Sequence, residues 1–450
     1  MGPGGAPYPG AMSLQHFGTD GIRGAALQSP LTLPEVRRWG AAWAEVARRE
    51  GVAEFVIGWD PRTSSEPLAE AFITGMGGAL PVAVLGLAPT PAVAWTVAQQ
   101  TASGRKTWGL MISASHNPPE DNGLKGFNER GEKLEEDQEQ AIEAAFASPA
   151  PARAGEAPVG RLDLEAYLAN LEGIDLPSDV QLIIDCAHGA TPGCARRLFR
   201  GEGVAWLGVP SDGRRINVGV GSTHLDALAA EVRRRGALLG IAFDGDGDRC
   251  LMVDAHGTPV DGDQMVWLMA QDRVACGDPP PGVVGTLMTN GGLAQALAEA
   301  GIPFVRTAVG DKYLLREMAR RGWDLAAEAS GHLIQKRVGP SGDGLAAGLA
   351  VLRALLHRPA SHRWDWTFRP WPQRLVNLRA KARRPVEACP ELGAAMGTIE
   401  ARWGDGVRQV VRWSGTEPKL RLMVEAREAG WVDQALVELE SAARLDLALD

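Results

Sequence analysis

Cysteine is scarce and poorly placed for cross-linking. The five cysteines in 450 residues, at 186, 194, 250, 276 and 389, are odd in number, widely spaced and never in a CxxC pair. That excludes a disulfide framework and a cysteine-based zinc or redox motif, and it predicts a reducing, cytoplasmic setting. No apolar run reaches the ~18 residues that a bilayer crossing needs, because charged residues, Gly or Pro interrupt every candidate; no membrane partner is expected. Positive charge is in short supply as well. With 46 Lys and Arg against 55 Asp and Glu, the net charge is -9, the wrong sign for a protein whose main partner is nucleic acid. An anionic substrate would need local basic pockets. No unit of 20–50 residues recurs, which excludes a solenoid. The opening MGPGGAPYPG lacks both the basic start and the apolar middle of a secretory signal. Residues 1–12 read as a disordered leader, with Met12 a second candidate start of translation.

What is there has ordinary globular composition, 45% hydrophobic and 22% charged, in a chain too long for one core. Helical periodicity in PEVRRWGAAWAEVARR, EPLAEAFITGM and TPAVAWTVAQQ alternates with apolar strands EFVIG, PVAVLG and TWGLMIS. This order predicts an α/β domain with a mainly parallel or mixed sheet covered on both faces. The stretch ASPAPARAGEAPVG, residues 147–160, reads as a linker. The expected division is α/β domains over 13–155, 156–255 and 256–365. A smaller α+β domain over 366–450 follows, with strands VRQVVR and LRLMVEA before a last helix WVDQALVELESAARL.

Four segments carry candidate chemistry. In IAFDGDGDRCLMVD, Asp244, Asp246 and Asp248 alternate with glycines between two apolar runs. Converging carboxylates repel one another unless a divalent cation neutralises them. An EF-hand is excluded, since Arg249 stands where that loop wants Gly and Ala255 where it wants Glu. In MISASHNPPEDNGLKGF, Ser115, His116 and Asn117 fall in what reads as an exposed loop, with Lys125 close behind. Taken alone, a serine before a histidine in a loop is more often a capping residue than a nucleophile. RWSGTEPKLR sets Arg412, Ser414, Thr416 and Arg421 around Gly415, donors suited to a phosphate, although a turn flanked by surface arginines would look the same. AEASGH offers Glu328, Ser330 and His332, able to read sugar hydroxyls or simply to end a strand.

In order and spacing, FGTDGIRG (17–24), SASHNP (113–118), DGDGDR (244–249), EASGH (328–332) and RWSGTEP (412–418) resemble the signature loops of the α-D-phosphohexomutase family. The resemblance runs from about residue 13 to the end and implies four domains around a central cleft, each contributing one loop. DNGLK (121–125), VGSTH (220–224), GTLMTNGGL (285–293) and VGDK (309–312) are further similar to the branch that acts on glucosamine phosphate. The chain departs from that branch at Ala327, where Gly is usual, and at Ser113, where Thr is usual; neither change removes a reactive group.

The resemblance implies that Ser115 carries a phosphoryl group, that one Mg2+ per subunit bridges it to Asp244, Asp246 and Asp248, and that Arg249 offsets charge during transfer. Lys125 is the implied proton acceptor, its pKa lowered by a dry or cationic surrounding, with His116 second. Arg23, Lys312, Glu328, Ser330 and His332 are implied at the sugar, and Arg412, Ser414, Gly415, Thr416 and Arg421 at its nontransferring phosphate. The implied activity interconverts glucosamine 6-phosphate and 1-phosphate through a 1,6-bisphosphate, feeding UDP-N-acetylglucosamine synthesis. Glucose or glucosamine 1,6-bisphosphate is the implied activator and a homodimer the implied assembly. The rivals are a mutase for mannose or glucose phosphate and a noncatalytic sugar-phosphate sensor on the same fold.

Overall fold

The structure, a computed structural model, describes residues 14–18, 20–148, 158–359, 368–413 and 418–447. The expected leader and the residues Ser414, Gly415 and Thr416 lie outside these ranges. Near the start, Thr32 and Glu35 form a capping box that opens the helix Leu33–Arg49, an arrangement whose loss typically costs about 1 kcal/mol. Its apolar stripe drives Trp39 and Trp43 fully into the core. The strands Glu54–Trp59, Val82–Leu87 and Thr107–Ile112 are parallel, and alternation sends Phe55 and Ile57 to this helix layer and Val56 to the opposite face, against Val93 and Val97 of the helix Thr90–Ala102. The segment Asp121–Phe127, given no element from sequence, is an antiparallel strand paired with Thr107–Ile112 and with Gly21–Ala25. Its polar residues disguise it: Asn122 is buried and donates to Ser64 and Ser65, and Lys125 is buried in an ion pair.

Two expected boundaries shift. Val159–Arg161, assigned to the linker and second domain, extends the first sheet beside Val82–Leu87. Pro259–Val260, assigned to the third domain, closes the second sheet beside Cys250–Asp254. That second sheet runs Val204–Leu207, Leu182–Asp185, Leu239–Phe243, Cys250–Asp254, Pro259–Val260, and the third runs Phe304–Thr307, Val283–Thr286, Leu325–Ala327, Leu333–Gln335. Both are mixed, and the two units share one apolar core, into which the helix Gly344–Leu356 is buried. The last unit is an antiparallel sheet with Lys419–Ala426 between Gln373–Arg379 and Val407–Trp413, covered by the helices Pro390–Trp403 and Ala429–Asp446. Arg408 docks it on the third unit through the carbonyl of Thr289, at 2.9 Å, and that of Leu287. Among the described residues no helix is long and apolar enough to cross a membrane.

Candidate active site

Three residues beyond the strand Thr107–Ile112, the chain turns through Ser115 with φ 53°, a left-handed conformation that few residues other than glycine adopt. The turn is held from outside. Asp60 accepts from Ser113 Oγ at 2.6 Å, and Ser113 Oγ in turn accepts from the Ser115 amide at 2.8 Å. Arg62, only 2% exposed, donates Nε to Asp60 at 2.9 Å, Nη2 to the carbonyls of Ser115 and Asn117 at 3.0 and 2.8 Å, and Nη1 to those of Asp121, at 3.0 Å, and Pro118. From the second unit Asn217 Nδ2 donates to the carbonyls of Ser115 and Asn117 at 2.8 and 3.0 Å. The expected exposed loop is therefore corrected: Ser115 is completely buried, because this scaffold and the second unit close around it. Neither Asp60, Arg62 nor Asn217 was singled out from sequence. The one local signal is the polar run DPRTSS after an apolar strand.

Ser115 Oγ donates to Asp244 Oδ2 at 2.5 Å and lies 3.2 Å from His116 Nδ1. Asp244, Asp246 and Asp248 occupy the connection between the antiparallel strands Leu239–Phe243 and Cys250–Asp254, all three buried, each offering an oxygen within 4.8 Å of the others. Close approach is possible because residue 245 is glycine: a Cβ there would stand 2.5 Å from the Ser115 carbonyl oxygen. Asp246 Oδ2 accepts from Thr90 Oγ1 at 2.6 Å and Lys125 Nζ at 2.7 Å, whereas Asp246 Oδ1 and Asp248 Oδ1 are buried without a hydrogen-bond donor. Burial, then repulsion from Asp248 and Asp246, pushes the Asp244 carboxyl well above its usual range. Burial works the same way on Asp248, but Lys125, His332 and Arg249 outweigh it and hold that carboxyl low. Converging, underdonated carboxylate oxygens beside a hydroxyl fit a hard divalent cation of the Mg2+ type.

The expected lowering of Lys125 does not occur in this geometry. Burial disfavours its charge, yet Asp20, Asp246 and Asp248, at 3.2, 2.7 and 3.5 Å, outweigh burial and raise its pKa. The surroundings are dry but anionic, so Lys125 is an ammonium here. His116 moves the other way: burial, then Arg249 and Arg23, lowers it to about 4, leaving the ring neutral beside Ser115.

The remaining sequence candidates divide into near and far. Arg23 pairs with Asp20, with Nη1 3.5 Å from the Ala114 carbonyl; the Arg249 amide donates to Asp244 Oδ1 at 3.2 Å. His332 lies 3.9 Å from Asp248. The turn that carries Glu328, Ser330 and His332 packs against the end of the aspartate loop, where the Cys250 amide donates to the Gly331 carbonyl at 3.0 Å. Within it Glu328 accepts from the Gly310 amide at 3.0 Å and from Ser330 Oγ at 3.3 Å. Lys312 stands in the first turn of the helix Asp311–Arg321, with Nζ 5.5 Å from the Tyr313 ring. Arg412 and Arg421 belong to the fourth unit, directly opposite each other on antiparallel strands. Burial and the Arg421 charge lower the Arg412 pKa; like charges so placed disfavour each other and suit an anion between them.

Comparison with known proteins adds the family. Models for phosphoglucomutase/phosphomannomutase match all along the chain: the alpha/beta/alpha domains I, II and III at 14–153, 165–257 and 261–364, and the C-terminal domain at 375–442. Curated relatives named phosphoglucosamine mutase include those of Delftia acidovorans, 39% identical over 96% of this chain and 99% of the relative, and Chromohalobacter salexigens, 41% identical over 92% and 95%. Among solved structures, a phosphoglucomutase/phosphomannomutase family protein from Burkholderia thailandensis superposes with a TM-score of 0.80 at 23% identity, covering 97% of this chain and all of that one. Aspergillus fumigatus N-acetylphosphoglucosamine mutase, solved with GlcNAc-6P and magnesium, gives 0.63 at 18% identity, covering 97% and 96%. With four domain matches in order and relatives 39–41% identical along nearly their whole length, this chain belongs to the phosphoglucomutase/phosphomannomutase family, the α-D-phosphohexomutases, alongside the phosphoglucosamine mutases.

Proposed function

We propose that this protein interconverts glucosamine 6-phosphate and glucosamine 1-phosphate in the cytoplasm, with Ser115 as phosphoryl carrier. The observation that carries the proposal is the Ser115 hydroxyl 2.5 Å from Asp244, beside two buried carboxylate oxygens that lack donors. In the first half-reaction the bond from phosphorus to Ser115 Oγ breaks and one to the sugar's C1 oxygen forms, the C1 hydroxyl losing a proton and Ser115 Oγ regaining one. The 1,6-bisphosphate turns over, and its 6-phosphoryl returns to Ser115. The same bisphosphate, or its glucose counterpart, can prime an unphosphorylated enzyme.

Asp244, Asp246 and Asp248, with the Ser115 oxygen, would hold Mg2+, which when bound supplies positive charge against the transferring phosphoryl oxygens. Arg249, close to Asp244 and Asp248, adds to that charge. Lys125 is the acceptor of the sugar hydroxyl's proton; neutralising Asp246 and Asp248 would weaken its hold on its own proton, against Asp20, which still favours the ammonium. Neutral His116 keeps the Ser115 hydroxyl oriented. Glu328 and Ser330, with His332 and Lys312, read the sugar's hydroxyls in either orientation, while Arg412 and Arg421, with Ser414, Gly415 and Thr416, hold the phosphate not being transferred. Three charge-assisted hydrogen bonds at roughly 1.5–3 kcal/mol each are enough to retain the bisphosphate while it turns.

The relatives' names favour the amino sugar over glucose or mannose. Coupled assays on the three 6-phosphates test this: kcat/KM is expected to be highest for glucosamine 6-phosphate, and a higher value for glucose 6-phosphate would overturn the choice of substrate. Binding of all three without turnover would favour the sensor.

A further inference from the structure

The first and third units meet along the turn 128–135, where three ion pairs cross. Glu132 pairs with Lys336 at 2.8 Å, Glu135 with Arg316 at 2.7 Å, and Lys133 Nζ with Asp311 Oδ1 at 3.0 Å. The first two are rim contacts, with the Lys336 and Arg316 side chains 42% and 54% exposed, whereas Asp311 is only 7% exposed. Lys133 also reaches Asp20 Oδ1 at 2.5 Å, and the other oxygen of Asp20 takes Lys125 at 3.2 Å and Arg23.

From Lys125 the contacts continue to Asp248 at 3.5 Å; Asp248 lies 3.9 Å from His332 Nδ1, and His332 Nε2 lies 3.9 Å from Asp311 Oδ2. Asp248, Lys125, Asp20, Lys133, Asp311 and His332 thus close a ring of alternating acidic and basic groups drawn from three units. Neither Asp20 Oδ1 nor Asp311 Oδ1 accepts an aligned hydrogen bond, so the Lys133 charge is what compensates both buried oxygens.

We propose that Lys133 is a positioning residue for phosphoryl transfer. By holding one oxygen of Asp20 and one of Asp311, it fixes the carboxylate that aims Lys125 and Arg23 at the Ser115 site. It also locks the third unit's sugar-reading turn against that site. The proposal rests on the mutase reading above, since Lys133 acts through Asp20 and Lys125 on that reaction.

The test compares Lys133→Met and Lys133→Arg with the rim variants Arg316→Gln and Lys336→Gln, each assayed as full chain with Mg2+ and glucosamine 6-phosphate. Lys133→Met is expected to lower kcat about 10- to 100-fold, the usual effect of losing a group that orients a metal-site residue. KM should rise by less than kcat falls, because Lys133 acts on the sugar only through the turn and through Arg23. Lys133→Arg should recover part of the loss, since a guanidinium can also span two carboxylates, and the rim variants should stay within about twofold of wild type. Wild-type kcat in Lys133→Met, or an equal loss in the rim variants, would overturn the proposal.

A urea-unfolding cycle of Lys133→Gln, Asp311→Asn and the double variant needs no activity and serves if Lys133→Met does not fold. Non-additive shifts are expected, and additive ones would show that the two residues are not coupled. A wild type without turnover on glucosamine phosphates would defeat the mutase reading, while the cycle still decides whether Lys133 joins the units.

Discussion

Arg62→Lys removes shape while keeping charge, and so isolates what the guanidinium does for the serine turn. Its donors meet Asp60 Oδ2 and the carbonyls of Ser115, Asn117, Pro118 and Asp121, five acceptors for five N–H groups. A lysine has three donors, so at least two of those charge-assisted hydrogen bonds are lost, while Asn217 still donates to the Ser115 and Asn117 carbonyls and Ser113 to Asp60. Each lost hydrogen bond from a charged donor costs about 1.5–3 kcal/mol. The total is then roughly 3 kcal/mol at the least, and the turn that bears it holds Ser115 at φ 53°. If that strain relaxes by moving Ser115 away from Asp244, kcat/KM falls by at least about 100-fold, at 1.4 kcal/mol per factor of ten. The assay is steady-state mutase activity on glucosamine 6-phosphate, with circular dichroism confirming that the variant is folded. A folded Arg62→Lys protein with kcat/KM within a factor of about three of wild type would refute the claim that Arg62 sets the geometry of Ser115.

Gly245→Ala should fold and lose at least about tenfold in kcat, because its Cβ would stand 2.5 Å from the Ser115 carbonyl oxygen and 2.8 Å from Ile216; unchanged turnover would contradict so tight an apposition of the two loops. His116, lowered to about 4 by burial and then Arg249 and Arg23, is neutral when folded but protonates near its ordinary 6.5 when unfolded. The unfolded chain therefore binds more protons in between, and the His116 contribution is present above about 6.5 and lost as pH falls towards 4. His116→Gln should flatten this part of the stability profile measured by denaturant unfolding, and an identical acid sensitivity in both proteins would count against the burial argument. Removal of divalent cations with a chelator should abolish turnover and added Mg2+ restore it; full activity after exhaustive chelation would remove the role given to Asp244, Asp246 and Asp248.

What was legible in the sequence was local. The carboxylate loop announces itself because its three aspartates and their glycines are consecutive, and the helix Leu33–Arg49 because its apolar periodicity lies in one window. The strand Asp121–Phe127 was hidden because strand reading relies on apolar residues, and here buried Asn122 and Lys125 are satisfied by Ser64, Ser65 and Asp246, partners remote in sequence. Arg62 and Asn217 escaped for the same reason: what they hold is backbone carbonyls in another segment, and carbonyls leave no trace in residue type. The charge state of Lys125 was likewise unreadable, since a dry surrounding and an acidic one push it in opposite directions and only the distances to Asp20, Asp246 and Asp248 decide between them.

The most direct measurement mixes the purified, phosphorylated protein with glucosamine 6-phosphate, quenches within one turnover, and follows the peptide bearing residues 113–118 by mass spectrometry. The account predicts that Ser115 gives up its phosphoryl group as a hexosamine bisphosphate appears, and that Ser115→Ala neither carries nor transfers one. Rapid turnover by a protein whose Ser115 stays unmodified throughout, or by Ser115→Ala itself, would contradict it.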